Sequence, residues 1–304
     1  MVFKRRLNPM VDVLFKFIFG AEERKNITLD FLNSVLSLEG ERELKDIQFL
    51  DRELIPESEE EKLSRLDIYG VTDIGSQIDI EVQVVNRQNM EKRTLYYWSR
   101  MYQKLEKGKD YQELHQAITI NVLDFSLLPQ EDPHAIYGVY NLDTGHRLTD
   151  DLEIHFLEVP KWKVKNIKEM KRLDRWLGYL SRKLTDAERS ELAMKEDMIR
   201  EAMKAEQIFT QDDIKWREYE QREAAIRDYR SDMRACREAG IEEGIEQGIK
   251  QGIKQGIKQG MEKGLHEANK KTALRMLNKH MDETTIAELT GMSLADIHEL
   301  AKHI

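Results

Sequence analysis

Asp67, Glu81 and Gln83 are the residues of this chain whose types and spacing could do chemistry. They lie in residues 66–85, LDIYGVTDIGSQIDIEVQVV. Ile78, Ile80, Val82 and Val84 alternate there with Asp79, Glu81 and Gln83. Side chains on a strand alternate sides, so one face is apolar and the other acidic. Leu66 and Ile68 share a face and Asp67 points the opposite way. The two halves, joined by Thr72-Asp73-Ile74-Gly75-Ser76, read as a β-hairpin with an apolar back and an acidic front. Asp67, Glu81 and Gln83 on that front are oxygen donors of the kind a hard divalent cation takes. The main-chain carbonyl of Val82 and waters would complete an octahedron that suits Mg²⁺. A cation so held lowers the pKa of a water. A plainer reading stands beside this one: an amphipathic strand with a wet face shows polar residues at i and i+2 without any chemistry.

The flanking sequence supplies elements to position such a hairpin. Residues 10–38 read as two helices, with Phe15 and Phe19 one turn apart, Phe31, Leu32, Val35 and Leu36 continuing the stripe, and Gly20 as a stop. Asp12 and Lys16 are spaced i, i+4, which suits either a surface ion pair or a place in the site. Ile47-Gln48-Phe49-Leu50 reads as a strand, and the acidic residues 57–61 as a solvated connection. After Asn86 a helix carries Leu95, Trp98, Met101, Tyr102 and Leu105 on one side. Arg93, Arg100, Lys104 and Lys107 give it positive charge. Residues 117–123 (AITINVL) form a buried strand, and 136–141 and 154–159 two more. Helices, strands, helix, strand and hairpin in this order imply a mixed α/β sheet flanked by helices, closing near Pro160.

Beyond Pro160 the sequence is helix-forming and charged, and residues 161–237 read as a helical arm. Trp162 and Trp176 are packing anchors within its basic start, and Thr185-x-x-Glu188 is a capping box. Glycine then recurs at 240, 244, 248, 252, 256, 260 and 264, each followed by Ile, Met or Leu. Four residues turn a helix by about 400°, so the Gly and Ile stripes of residues 238–265 wind slowly round the rod in the right-handed sense. Each glycine costs a helix roughly 1 kcal/mol relative to Ala, which close approach by a second copy would offset. A flexible linker has no need of Ile at every fourth residue. In residues 266–304, Thr285-x-x-Glu288 and Ser293-x-x-Asp296 cap two short helices around Gly291. They resemble a helix-turn-helix, and equally a helical hairpin closing an oligomer.

Composition narrows the class. The chain of 304 residues is 40% hydrophobic and 35% charged, with a net charge of -9. That balance argues against a uniformly basic nucleic-acid coat, so contact with DNA must come from local patches. One cysteine, Cys236, excludes an internal disulfide framework, and no two of the eight histidines have the spacing of a helical zinc site. No apolar run is long enough to span a bilayer and no leader pattern precedes one, so a cytoplasmic protein is expected.

Several stretches together resemble the Rpn-type recombination-promoting nuclease/putative transposase family, a branch of the PD-(D/E)xK restriction-endonuclease-like fold. They are Asp12-Val-Leu-Phe-Lys16 with Phe19-Gly20, Leu66-Asp67-Ile68, Ile80-Glu81-Val82-Gln83, Tyr97-Trp98-Ser99-Arg100, Asn121-Val-Leu-Asp-Phe125, the Gly-Ile-x-x repeats and the tail TIAELTGMSLADI. The resemblance implies a nuclease core over residues 1–160 and a metal-dependent DNA endonuclease linked to transposon-like recombination or defence against foreign DNA. It makes Asp67 the strand acid and Glu81 the second metal acid, and puts Gln83 where the superfamily usually has Lys. Glutamine can orient a water but supplies no charge, so the metal carries the activation, a migrated cation such as Arg100 compensates, or the fold is a decayed nuclease that binds DNA or itself without cutting.

Overall fold

The computed structural model describes residues 6–51, 53–54, 64–103 and 110–302. The acidic connection 57–61 lies outside them. Two short helices open the fold: α1 (Asp12–Phe19) and α2 (Lys25–Val35). Strand β1 (Ile47–Phe49) follows, then a separate two-stranded ribbon of β2 (Glu53–Leu54) and β3 (Ser64–Arg65). The expected hairpin is β4 (Ile68–Thr72) and β5 (Gln77–Gln83), paired antiparallel. Helix α3 (Met90–Tyr102) carries the chain across to β6 (Ala117–Leu123), which runs parallel to β5. A crossover of this kind is what parallel neighbours demand. Strands β7 (His134–Tyr140) and β8 (Arg147–Glu158) complete a six-stranded mixed sheet in the order β1-β4-β5-β6-β8-β7.

The apolar back of this sheet is the main core. Ile78, Ile80 and Val82 of β5 and Ile118, Ile120 and Val122 of β6 pack with Leu14, Phe15, Ile18 and Phe19 of α1. Each such side chain, taken out of water, contributes about 1.5–3 kcal/mol. Gly20 ends α1 with its N–H on the Lys16 carbonyl; a Cβ there would stand 2.9 Å from that oxygen and 3.4 Å from Ile68. Its lack of a side chain is what lets α1 finish against β4.

The stretch set apart in sequence as a helical arm begins inside this core. Helices α4 (Arg172–Ser181), α5 (Asp186–Lys195) and α6 (Asp197–Phe209) bury Trp162, Trp176, Tyr179 and Phe209 against α1 and α2. Trp176 Nε1 donates to Asp30 Oδ2 at 2.8 Å, and Arg172 bridges Asp30 and Glu43. The Thr185–Glu188 capping box forms as read, but the helix it opens stops at Glu196 and restarts.

Residues 1–230 make one compact unit and 231–304 a second. Helix α7 (Asp213–Leu277) begins in the first unit, and the whole Gly-Ile repeat is helical. In the second unit α8 (Glu283–Thr290) and α9 (Leu294–Ala301) close a small core of Ala273, Ile286 and Ile297. The cap of α8 is Asp282, accepting from the Thr285 N–H, in place of the expected Thr285; Ser293 caps α9 and Gly291 turns between them at φ 66°. Among the described residues no helix is long and apolar enough to cross a membrane.

Candidate active site

The hairpin ladder stops one step short of Asp67. Ile68 opposite Ile80 is its last pair. Beyond it, one carboxylate takes the Val82 N–H that the next rung would have used, and another takes the Asp67 N–H. The Asp67 N–H donates to Glu81 Oε1 at 3.0 Å, and the Val82 N–H donates to Asp67 Oδ2 at 3.0 Å. A strand residue sends its N–H and C=O to the same side, so the Val82 carbonyl faces the same gap. Two acids and one main-chain carbonyl thus converge where β4 begins and β5 nears its end.

The acidic front is covered, not wet. Asp79 is fully buried, Glu81 is 1% exposed and Asp67 8%. The cover is α3, whose Thr94 hydroxyl meets that of Thr119 at 2.8 Å and accepts from Asn121 Nδ2 at 3.0 Å. Thr119 and Asn121 are the β6 partners of Asp79 and Glu81. Met90, Tyr97 and Met101 bury the rest of the α3 face. Alternation in the strand reported the polar residues correctly, but not the helix that would close over them.

Burial makes charge compensation necessary. Lys16 Nζ lies 2.7 Å from Asp67 Oδ1, and Arg93 Nη2 lies 2.5 Å from Glu81 Oε2. Arg93 Nε also donates to the Tyr97 hydroxyl at 3.1 Å. Lys16 does not meet Asp12; Asp12 instead faces Arg222 at 3.7 Å. The i, i+4 spacing therefore serves two separate contacts, and Lys16 belongs to the acid cluster. Arg100, expected as the migrated cation, stands two turns along α3 and is half-buried; the arginine that meets Glu81 is Arg93.

Burial, and then the negative charge of Asp67, push Glu81 up to about 8; Arg93, the Asp67 N–H and Lys16 pull the other way. Asp79 is pushed well above the usual carboxylate range by burial, with Glu81 and Asp67 adding to it. Both of its carboxylate oxygens are buried without a hydrogen-bond partner.

Gln83 and Asp67 line a cleft of about 270 Å³ together with Asp12, Arg87, Arg222 and Tyr229. Residues 222–229 of α7 form one wall of it, and Arg230 fastens that wall through the Val84 carbonyl and Asp124, each at 2.8 Å. Arg87 and Arg222 line the cleft without having been singled out in the sequence, where Arg93 figured only as part of a basic helix. Arg93, Tyr97 and Arg100 share one helical face by spacing, and nothing local says which of them reaches the strand acids.

Among the described residues no three of His, Cys, Asp and Glu stand together as a ready-made metal cluster. A cation here would have the two carboxylates and the Val82 carbonyl, and would take its remaining ligands from water and substrate. That hard-oxygen, partly open set fits Mg²⁺, which keeps several of its waters. Lys16 and Arg93 hold the same carboxylate oxygens such a cation would share.

Comparison with known proteins gives a family. The family described as PD-(D/E)XK nuclease family transposase matches residues 9–236, which run from the turn before α1 into α7 and include every residue of the cluster. Neither the curated proteins nor the solved structures gave a match.

Proposed function

The chain belongs to the PD-(D/E)XK nuclease family transposases, and from that premise we propose that it is a metal-dependent DNA endonuclease hydrolysing phosphodiester bonds. The observation that carries the reading is the interlocking of Asp67 and Glu81 across the broken end of the β4–β5 ladder. The arrangement brings two carboxylates and a carbonyl to one gap. Asp67, Glu81 and the Val82 carbonyl would hold the cation. Bound there, a divalent cation supplies positive charge to the phosphate and lowers the pKa of a water. Gln83, at the cleft wall, holds the attacking water by its amide and sets its line of approach. Arg87 and Arg222 give the cleft positive walls for the sugar-phosphate backbone.

The test is plasmid nicking by the full chain with Mg²⁺. Asp67→Ala removes a metal oxygen and should abolish nicking; an Asp67→Ala protein that nicks as fast as the parent would remove this hairpin from the active site. The family implies a setting in transposon-like recombination or in defence against foreign DNA, and both place duplex DNA as the substrate.

The repeat helix supports a second element of the reading, self-association. Ile241, Ile245, Ile249, Ile253 and Ile257 are 53–59% exposed, and nothing lies within 4 Å of a Cβ built on any glycine from 240 to 264. A second copy packed on the Gly and Ile stripes would cover them. Should the protein prove unable to cut, this helix would be its functional part, on a decayed nuclease fold. The tail offers less to DNA: the outward residues of α9 include Asp296 and Glu299, which repel phosphate.

A further inference from the structure

We propose that Lys16, carried on α1, is the catalytic cation of this site, standing in for the lysine that Gln83 replaces. The inference rests on the reading of Asp67 and Glu81 as the hydrolytic acids.

Lys16 reaches Asp67 Oδ1 at 2.7 Å, with its side chain 24% exposed and that of Asp67 11%. It is therefore in contact with an acid that lines the cleft and still partly open to solvent. Its backbone is fixed. Leu14, Phe15, Ile18 and Phe19 seat α1 in the core, and Gly20 brings the helix end against Ile68, next to Asp67. Asp12 leaves Lys16 free for this contact by facing Arg222. The other cation of the cluster is committed elsewhere: the Arg93 guanidinium holds Glu81 Oε2 and the Tyr97 hydroxyl together.

A lysine that only neutralised a buried acid would have no task once a metal ion shared that acid. A metal at Asp67 repels the ammonium from the carboxylate. The strongest negative charge then within its reach is the phosphate in the cleft. An ammonium has three donors, enough to hold a non-bridging phosphate oxygen and the attacking water at once. Gln83 orients that water but carries no charge, so the two residues divide the work one lysine does alone. In the step itself the water oxygen bonds to phosphorus as the bond from phosphorus to the leaving sugar oxygen breaks. The water gives one proton to bulk solvent and the leaving oxygen takes one back, so the net change is one water added. Lys16 stays protonated throughout and acts by its charge and position.

The experiment uses the full chain and four variants: Lys16→Met, Lys16→Arg, Lys16→Met with Gln83→Lys, and Asp67→Ala. Nicking kinetics and Mg²⁺ affinity by calorimetry are measured on each, with thermal melts confirming the fold. Lys16→Met should lower kcat by about 10²–10³-fold with KM little changed. It should also bind Mg²⁺ more tightly than the parent, because a competing cation has left Asp67. Gln83→Lys should restore most of the lost rate in the double variant, and Lys16→Arg should retain part of it. Nicking by Lys16→Met within twofold of the parent overturns the proposal. A fall in Mg²⁺ affinity together with kcat overturns it too, since that is the signature of a structural lysine. A folded double variant no faster than Lys16→Met does the same. If Asp67→Ala also nicks at the parent rate, the nuclease reading of the hairpin has failed; if Asp67→Ala is inert and Lys16→Met is not, only Lys16 has been misplaced.

Discussion

The acid cluster and the repeat helix break the same burial rule in opposite directions. At the cluster, Asp79, Glu81 and Asp67 are buried in the interior of a sheet and helix layer; along the repeat, isoleucine after isoleucine is more than half exposed. Buried charge and exposed apolar stripes are the two departures from ordinary burial that carry information. Each raises the free energy of the isolated chain, and each would be relieved by something that binds. For the cluster the relief is positive charge, supplied by Lys16 and Arg93 and, on our reading, by a metal ion. For the repeat it is a second apolar surface brought close enough for glycines to meet it. The contrast teaches that one chain holds two unsatisfied regions of different chemistry, so each should be breakable without the other.

The largest effect should come from Glu81→Gln. The amide keeps an acceptor for the Asp67 N–H, so the ladder end survives, but one metal oxygen and one charge are lost. Cleavage should drop by about 10³-fold or more, the equivalent of roughly 4 kcal/mol of transition-state stabilisation. The sedimenting mass should not move. A variant that lost both activity and assembly would mean the two regions are not separable.

The reverse experiment substitutes Ile245, Ile249, Ile253 and Ile257 with Glu. Four like charges on the stripe should dissociate the assembly in sedimentation, while Mg²⁺ binding at the cluster stays as in the parent. An unchanged mass would leave the exposed stripe without the partner we assign to it.

Much of this contrast was legible in the sequence, and the limits are physical. Period-two alternation located β5 and its acids, and the four-residue glycine period located the repeat, because both signals are local. The pairing of β4 with β5 followed from one short turn. What strand alternation cannot report is the layer that covers a polar face. The acidic front looked wet because Asp79, Glu81 and Gln83 look the same under α3 as under water. Long-range register was hidden for the same reason. Lys16 lies 51 positions before Asp67 in the chain, and its choice between Asp12 and Asp67 depends on how α1 packs against β4. Arg93 and Arg100 are equivalent on a helical wheel, and only the docking of α3 separates them. The arm from residue 161 is set apart in sequence because its charge is dense and its helix formers many; that its apolar residues, Trp162 and Trp176 among them, meet α1 and α2 appears only in the fold.

The smallest effect sharpens the buried half of the contrast, and it concerns Asp79. Its carboxyl is fully buried, has no hydrogen-bond partner for either oxygen, and is held well above the usual carboxylate range by burial and by the neighbouring acids. In the unfolded chain it ionises near 3.8. Between that pH and its folded value the native state therefore binds one proton more than the unfolded state. Stability must fall as pH rises through this window, by about 1.4 kcal/mol per pH unit for one proton. Glu81, pushed up to about 8, adds a second proton of the same sign between about 4.5 and 8. Asp79→Asn removes the first and leaves the second. Measured by urea denaturation at rising pH without divalent cation, the parent should therefore lose stability with pH more steeply than the variant. At neutral pH the variant should be the more stable of the two, since an amide takes up no proton on folding, as the buried carboxyl must. Parallel stability curves for parent and variant would mean that Asp79 finds a partner in solution, and the cluster would then be less starved of positive charge than its burial implies.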